Sequence, residues 1–150
     1  MNKVQDIRRV RTEQEKADAF AVRQQVFVVE QNVPPSLEID EHDRAGASAI
    51  HFVAYRDDKP VGASRLRFYD PQTGKVERVA VMESERGTGL GRELMLAMEQ
   101  TAREEGLTQL KLNAQCHAQR FYEKLGYQPV GDVFEEAGID HISMVKKLQD

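Results

Sequence analysis

The segment from Lys75 to Asn113 constrains the fold more than any other part of the chain. It reads as a strand, KVERVAVM (75–82), a glycine-rich turn, an amphipathic helix over about 89–105 and a second strand, LTQLKLN (107–113). The last half of the first strand is apolar on both faces, the pattern of a strand buried centrally in a sheet. The helix carries its apolar stripe on Leu90, Leu94, Ala97 or Met98, and Thr101 or Ala102, and Gly106 ends it. A helical crossover between sequential strands of one sheet makes those strands parallel and the connection right-handed.

The flanking segments fit around this unit. Val4, Ile7 and Val10 mark a candidate edge strand in residues 1–10. Thr12-Glu13-Gln14-Glu15 has the form of a capping box. It opens a helix expected to reach about Val29, with Ala19, Val22 and Val26 on one face and Phe20 and Phe27 beside them. Pro34-Pro35 cannot continue that helix, and LEIDEHDRAGAS reads as an acidic loop. AIHFVAYR (49–56), a DDKP turn and VGASRLRFY (61–69) read as antiparallel strands leading into 75–82. Downstream, AQRFYEKLG (118–126) is a short helix ending on glycine, and strands near 127–134 and 141–148 close the chain. The expected fold is one α+β domain over residues 1–150: a central mixed twisted sheet, an antiparallel meander plus one parallel pair, with helices on both faces.

Composition narrows the function classes. The 150 residues are 40% apolar and 31% charged, which excludes a disordered or low-complexity chain. A net charge of −4 argues against nucleic-acid binding, which wants a basic face. No apolar run approaches the ~20 residues that span a bilayer, and the charged start lacks the apolar stretch of a signal peptide. The expectation is a soluble, cytoplasmic protein with no membrane or nucleic-acid partner. The one cysteine, Cys116, rules out an internal disulfide and any cysteine-rich zinc site. It reads as a structural thiol.

The turn Arg86-Gly87-Thr88-Gly89-Leu90-Gly91 carries the chemistry. Glycines between a buried strand and a helix let backbone N–H groups approach an anion, and the helix N-terminus adds partial positive charge. Arg92 supplies a cation in the first turn. No lysine follows as a Walker loop requires, and G-x-G-x-G departs from the dinucleotide fingerprint G-x-G-x-x-G. From spacing alone the turn is either a pyrophosphate cradle or a run of glycines that only caps a helix.

ERVAVMESERGTGLGRELM resembles motif A of the GNAT N-acetyltransferase superfamily, R/Q-x-x-G-x-G/A, matched by Arg86, Gly89 and Gly91. AQRFYEKLGY is similar to the superfamily's other recurrent segment, at about the usual distance. VFVVEQNVPP, EIDEHD and FEEAGIDHISM further resemble a bacterial YjcF/ElaA-like branch. The resemblance implies acetyl-CoA as cosubstrate and no metal. It implies that the parallel strands splay and that the strand at Val79-Ala80-Val81 pairs its backbone with the pantetheine arm. Amides of Arg86, Gly87, Thr88, Gly89, Leu90 and Gly91 would hold the pyrophosphate, with Arg92 adjacent, and an amide near Val81 would polarise the thioester carbonyl. Tyr122 sits where the superfamily keeps its general acid, a catalytic or CoA-contacting position, the alternative being an aromatic that only packs on the helix. Many relatives place an asparagine seven residues before that tyrosine; here Gln115 stands there with Asn113 two earlier, and either amide could bond the pantetheine. Homodimers are common among relatives.

The implied acceptor is a primary amine, on a small molecule or a protein. An amine attacks only when neutral, so a base must take its proton. Candidates are Glu77, the cluster Glu38/Asp40/Glu41/Asp43, and His42, His51 and His141. Of these Asp40, His42 and His141 are candidate substrate contacts. The alternatives are a strand-surface charge at Glu77 and a solvated acidic loop. His42 beside Asp40 and Asp43 lacks the second histidine and ligand spacing a metal site wants. Two further readings stay open: a CoA-binding regulatory or partner module without turnover, and a transferase with a longer acyl donor. The latter rests on Arg23-x-x-x-Phe27, which resembles the R-x-x-x-F of acyl-homoserine-lactone synthases.

Overall fold

The computed structural model describes residues 6–148, so Val4 lies outside the described residues. Seven strands form one sheet: β1 (Asp6–Arg9), β2 (Ala49–Arg56), β3 (Lys59–Asp70), β4 (Thr73–Val81), β5 (Gln109–Gln115), β6 (Gln128–Glu136) and β7 (Ile139–Lys147). Their order is β1-β2-β3-β4-β5-β7-β6. Every neighbouring pair is antiparallel except β4 and β5, the two strands joined by the long helix. The α+β architecture is the one the 75–113 unit demands.

Helices cover both faces. Helix α1 (Glu13–Arg23) starts at the capping box: Glu15 N–H donates to Thr12 Oγ1 at 3.0 Å and Thr12 N–H to Glu15 Oε1 at 3.2 Å. Its Ala19 and Val22, with Val26, pack on Val53, Tyr55, Ala63 and Ala80. A short helix α2 (Pro35–Glu38) follows. Helix α3 (Leu90–Glu104) lays Leu90, Leu94, Met95, Met98 and Ala102 on the other face, against Phe52, Leu66 and Leu112 among others. Alternation along β2 serves both cores, since Ile50, Phe52 and Ala54 face α3 while Val53 and Tyr55 face α1. Gly74 permits close packing under α3: a Cβ there would meet Leu110 Cδ2 at 2.8 Å.

Two departures from regularity shape the site. The first helix does not run to Val29; α1 stops at Arg23 and residues 24–30 form a π-helix. Gln31 N–H reaches back five residues to the Val26 carbonyl at 3.2 Å, the wider turn that often marks a functional site. In β4, Arg78 adopts φ +57°, a left-handed conformation, where the register with β3 slips between Ala63 and Arg65. Pairing of β4 with β5 ends just before it, at Val76 opposite Leu112. Beyond that point the two strands part. A six-residue helix α4 (Gln119–Lys124) caps the α3 side of the opening, where Tyr122 packs against that core.

Candidate active site

A cleft of about 960 Å³ occupies the opening between β4 and β5. The glycine turn and the start of α3 form one end of it, the π-helix crosses it, and the β6–β7 hairpin closes the far side. Gly87 and Gly89 hold φ of +85° and +92°, and a Cβ on either would touch nothing within 4 Å. Gly89 is the N-cap of α3 and provides no side-chain cap. The first amides of α3 therefore look onto open space, an arrangement suited to an anion. The Thr88 hydroxyl turns the other way, donating to the Glu85 carbonyl at 2.6 Å.

Of the expected cofactor contacts, Val79, Val81, Arg86, Gly87, Gly89, Leu90, Gly91, Arg92, Asn113, Gln115 and Tyr122 all line the cleft. Ala80 and Thr88 do not. The Ala80 methyl is buried in the α1 core, leaving only backbone for a ligand. The Arg86 guanidinium is engaged, bonding the Glu30 carboxylate and the Val81 carbonyl, the latter at 3.2 Å. It thereby ties the π-helix to the turn. Gln115 makes a second tie, donating to Gln31 Oε1 at 2.8 Å while its own Oε1 lies 2.6 Å from His117 Nε2. Asn113 Oδ1 accepts from the Ser143 hydroxyl at 2.9 Å. Tyr122 stands edge-on to Phe121 and Tyr127, with ring centroids 5.0 and 6.0 Å away. Burial pushes its phenol up to about 12, so it stays protonated.

The acidic residues are arranged otherwise than the sequence suggested. The cluster in the loop faces inward onto two fully buried arginines. Arg23 bonds Glu38 at 2.7 Å and Asp43 at 2.7 Å. Arg65 bonds Asp40 at 2.7 Å, Asp43 at 2.9 Å and Glu77 at 2.7 Å. Arg78 joins them through Asp40 at 3.2 Å. Asp40 and His42 lie outside the cleft lining, so neither is placed to meet an acceptor there; Asp40 accepts the His42 N–H at 2.9 Å. The loop is a neutralised structural anchor, which composition alone could not reveal. Glu77 lines the cleft, but it is also held by Arg67 at 3.3 Å and Lys75 at 3.4 Å. Burial opposes its ionisation, yet Arg67 and Arg65 outweigh that and hold its carboxyl at about 2. A carboxylate so stabilised is a weak base. His51 sits under α1 away from the cleft, while His141 lines it.

Several lining residues had no signal beyond the family-like segments that carry them. Phe27 and Glu30 line the cleft from the π-helix, and Gln31 from its C-cap. Ala137 and Ile139 arrive through the hairpin, and His117 and Phe121 flank Tyr122. Cys116 packs half-buried against the α3 core. Among the described residues no group of three or more His, Cys, Asp or Glu side chains could hold a metal, and no helix is long and apolar enough to cross a membrane.

Comparison with known proteins agrees with this geometry. Residues 10–148 match the acetyltransferase (GNAT) domain model. The chain is 44% identical over 137 residues to the uncharacterized N-acetyltransferase YjcF of Bacillus subtilis, covering 91% of this chain and 95% of that protein. It is 36% identical over 126 residues to Escherichia coli ElaA, covering 82% and 81%. The crystal structure of ElaA superposes with a TM-score of 0.84 over 95% of this chain and 99% of that one. An aminoglycoside 6'-N-acetyltransferase complexed with coenzyme A shares the fold at a TM-score of 0.78 and 18% identity, covering 97% and 98%. The chain belongs to the GNAT acetyltransferase family, with YjcF and ElaA among its relatives.

Proposed function

We propose that the protein transfers an acetyl group from acetyl-CoA to a primary amine by direct attack. One observation carries the reading: the uncapped N-terminus of α3, with open space over Gly87 and Gly89, leads into the gap between β4 and β5 beside Tyr122. The coenzyme A bound by the aminoglycoside acetyltransferase of like fold supports the donor class. Amides of the turn and the first turn of α3 hold the pyrophosphate, and the edge of Val79–Val81 that β5 leaves unpaired accepts the pantetheine arm as an added strand, sharing the Val81 carbonyl with Arg86. Acetyl-CoA supplies an activated acyl group on a good leaving sulfur. The backbone near Val81 polarises the thioester carbonyl. Tyr122 donates its proton to the departing sulfur, whose free thiol has pKa ~8.5.

The test is thermal unfolding with acetyl-CoA, with NAD and ATP as controls. Ligand at about 100-fold over Kd adds roughly 2.7 kcal/mol, a rise on the order of 5–10 °C for a domain this size. A rise with acetyl-CoA alone, followed by amine-dependent thiol release, is the expected outcome. No rise at millimolar acetyl-CoA overturns the proposal. A rise without thiol release from any amine leaves a CoA-binding module.

A further inference from the structure

Four of the carboxylates lining the cleft are bonded by arginine: Glu30 by Arg86, Glu38 by Arg23, Glu77 by Arg65 and Glu85 by Arg56. The fifth, Glu136, is exposed near the β6–β7 turn. The histidine of that hairpin differs from all of them. His141 is only 8% exposed, stacks on Phe134 with centroids 5.9 Å apart, and places Nδ1 2.7 Å from the Ile139 carbonyl. A carbonyl can only accept, so Nδ1 carries a hydrogen, and in the neutral ring it is Nε2 that holds the lone pair. Nε2 makes no hydrogen bond among the described residues. It is also not one of the polar atoms sealed away without a partner, which are His51 Nδ1, Ser64 Oγ and Tyr127 OH. The lone pair is therefore open, and the cleft is what the residue lines.

Register fixes the face of the sheet from which His141 projects. His141 is the β7 partner of Gln115. Parallel pairing of β4 with β5 ends at Val76 and Leu112, so Gln115, and His141 opposite it, belong to the stretch that has parted from β4. On β7, Ile142 and Met144 enter the α3-side core opposite Ala114 and Leu112. His141 and Ser143 therefore project from the other face, where Ser143 bonds Asn113. Tyr122 packs on the α3 side. The two groups stand on opposite faces of the sheet with the gap between them.

We propose that His141 is the catalytic base, taking the proton of the acceptor ammonium on Nε2; this rests on the transferase reading above. As the nitrogen–carbon bond forms and the carbon–sulfur bond breaks, the amine gives up two protons in all. One is balanced by protonation of the sulfur through Tyr122, and one passes through His141 to solvent. The ring needs no ionised partner for this, because the Ile139 carbonyl fixes the tautomer. The ionisable groups sharing the cleft are the four paired carboxylates, Glu136 from β6, His117 beside Gln115, Tyr122 on α4, Lys75 and Arg78 on β4, and Arg86 and Arg92 at the donor end.

The test pairs His141→Gln and His141→Asn with two amines of similar size. Ethylamine is protonated at neutral pH, whereas trifluoroethylamine is already neutral there. Both variants should bind acetyl-CoA as the parent does, read by thermal shift, which also reports folding. Their rate with ethylamine should fall by about 10²-fold or more, and far less with trifluoroethylamine. The ethylamine defect should shrink as pH approaches the amine's own pKa, ~10.4 for a lysine-like amine. Equal defects with both amines, or an unchanged rate with ethylamine, overturn the base assignment alone. A parent protein that binds acetyl-CoA yet acetylates neither amine nor any lysine-rich peptide overturns the transferase reading and the assignment with it.

Discussion

The proposed mechanism rests at the residue scale on Tyr122 and Gly89, which are expected to fail in different ways when changed. The ring packs on the α3-side core, edge-on to Phe121 and Tyr127, and among the described residues its hydroxyl makes no hydrogen bond. Tyr122→Phe keeps that packing and removes one proton donor. Its kcat is expected to fall by about 10²-fold while acetyl-CoA still raises the melting temperature; a kcat within a few-fold of the parent would reduce Tyr122 to packing. Gly89→Val acts on the backbone. With φ at +92° the position is left-handed, where a β-branched side chain costs roughly 1–2 kcal/mol. The new Cβ meets no protein atom within 4 Å, so its methyls occupy the space over the α3 amides. Loss of the acetyl-CoA melting shift in a folded protein is expected; a retained shift would refute the cradle.

At the scale of elements, buried charges do what an apolar contact would do elsewhere. Arg23 reaches from the last turn of α1 to the α2 residue Glu38, and to Asp43 beyond it. Arg65 joins that loop to β3 and, through Glu77, to β4. The network pins the segment carrying Leu37 and Glu38 beside the cleft they line. Removing one partner strands the others, at a cost of about 3–5 kcal/mol. Arg23→Ala should therefore lower the melting temperature by on the order of 10 °C; a drop of only a degree or two would mean the network is incidental. None of this was legible from EIDEHD, which reads as a solvated loop until its arginine partners, distant in sequence, are known. The elements set by local patterning were legible: the capping box at Thr12, the strand 49–56, and the α3 stripe. The π-helix was not, because its hydrogen bonds are a response to tertiary packing and leave the apolar spacing helical.

Across the whole molecule, the same buried groups set an acid limit with two stages. His51 lies under Phe20 with Asp43 3.9 Å away. Burial outweighs the attraction of Asp43 and lowers its pKa from 6.5 to about 4. The unfolded chain thus binds more protons at this site than the folded one. The stability it contributes is complete above about pH 6.5 and is lost as pH falls through about 4, roughly 2–4 kcal/mol in all. Glu77, Asp40 and Asp43 are held down against burial by Arg67, Arg65 and Arg23, so they carry the same sign at lower pH. Their contribution persists to about pH 4.5, the ordinary Glu77 value, and disappears as pH drops through about 2. Melting temperature against pH should fall gently from 6.5 to 4 and steeply below. His51→Gln should flatten the first limb and leave the second, since a neutral amide has no proton to gain. A parent protein whose melting temperature is level from pH 7 to 4.5 would show that His51 protonates in the folded state without penalty, with Asp43 as its counter-ion.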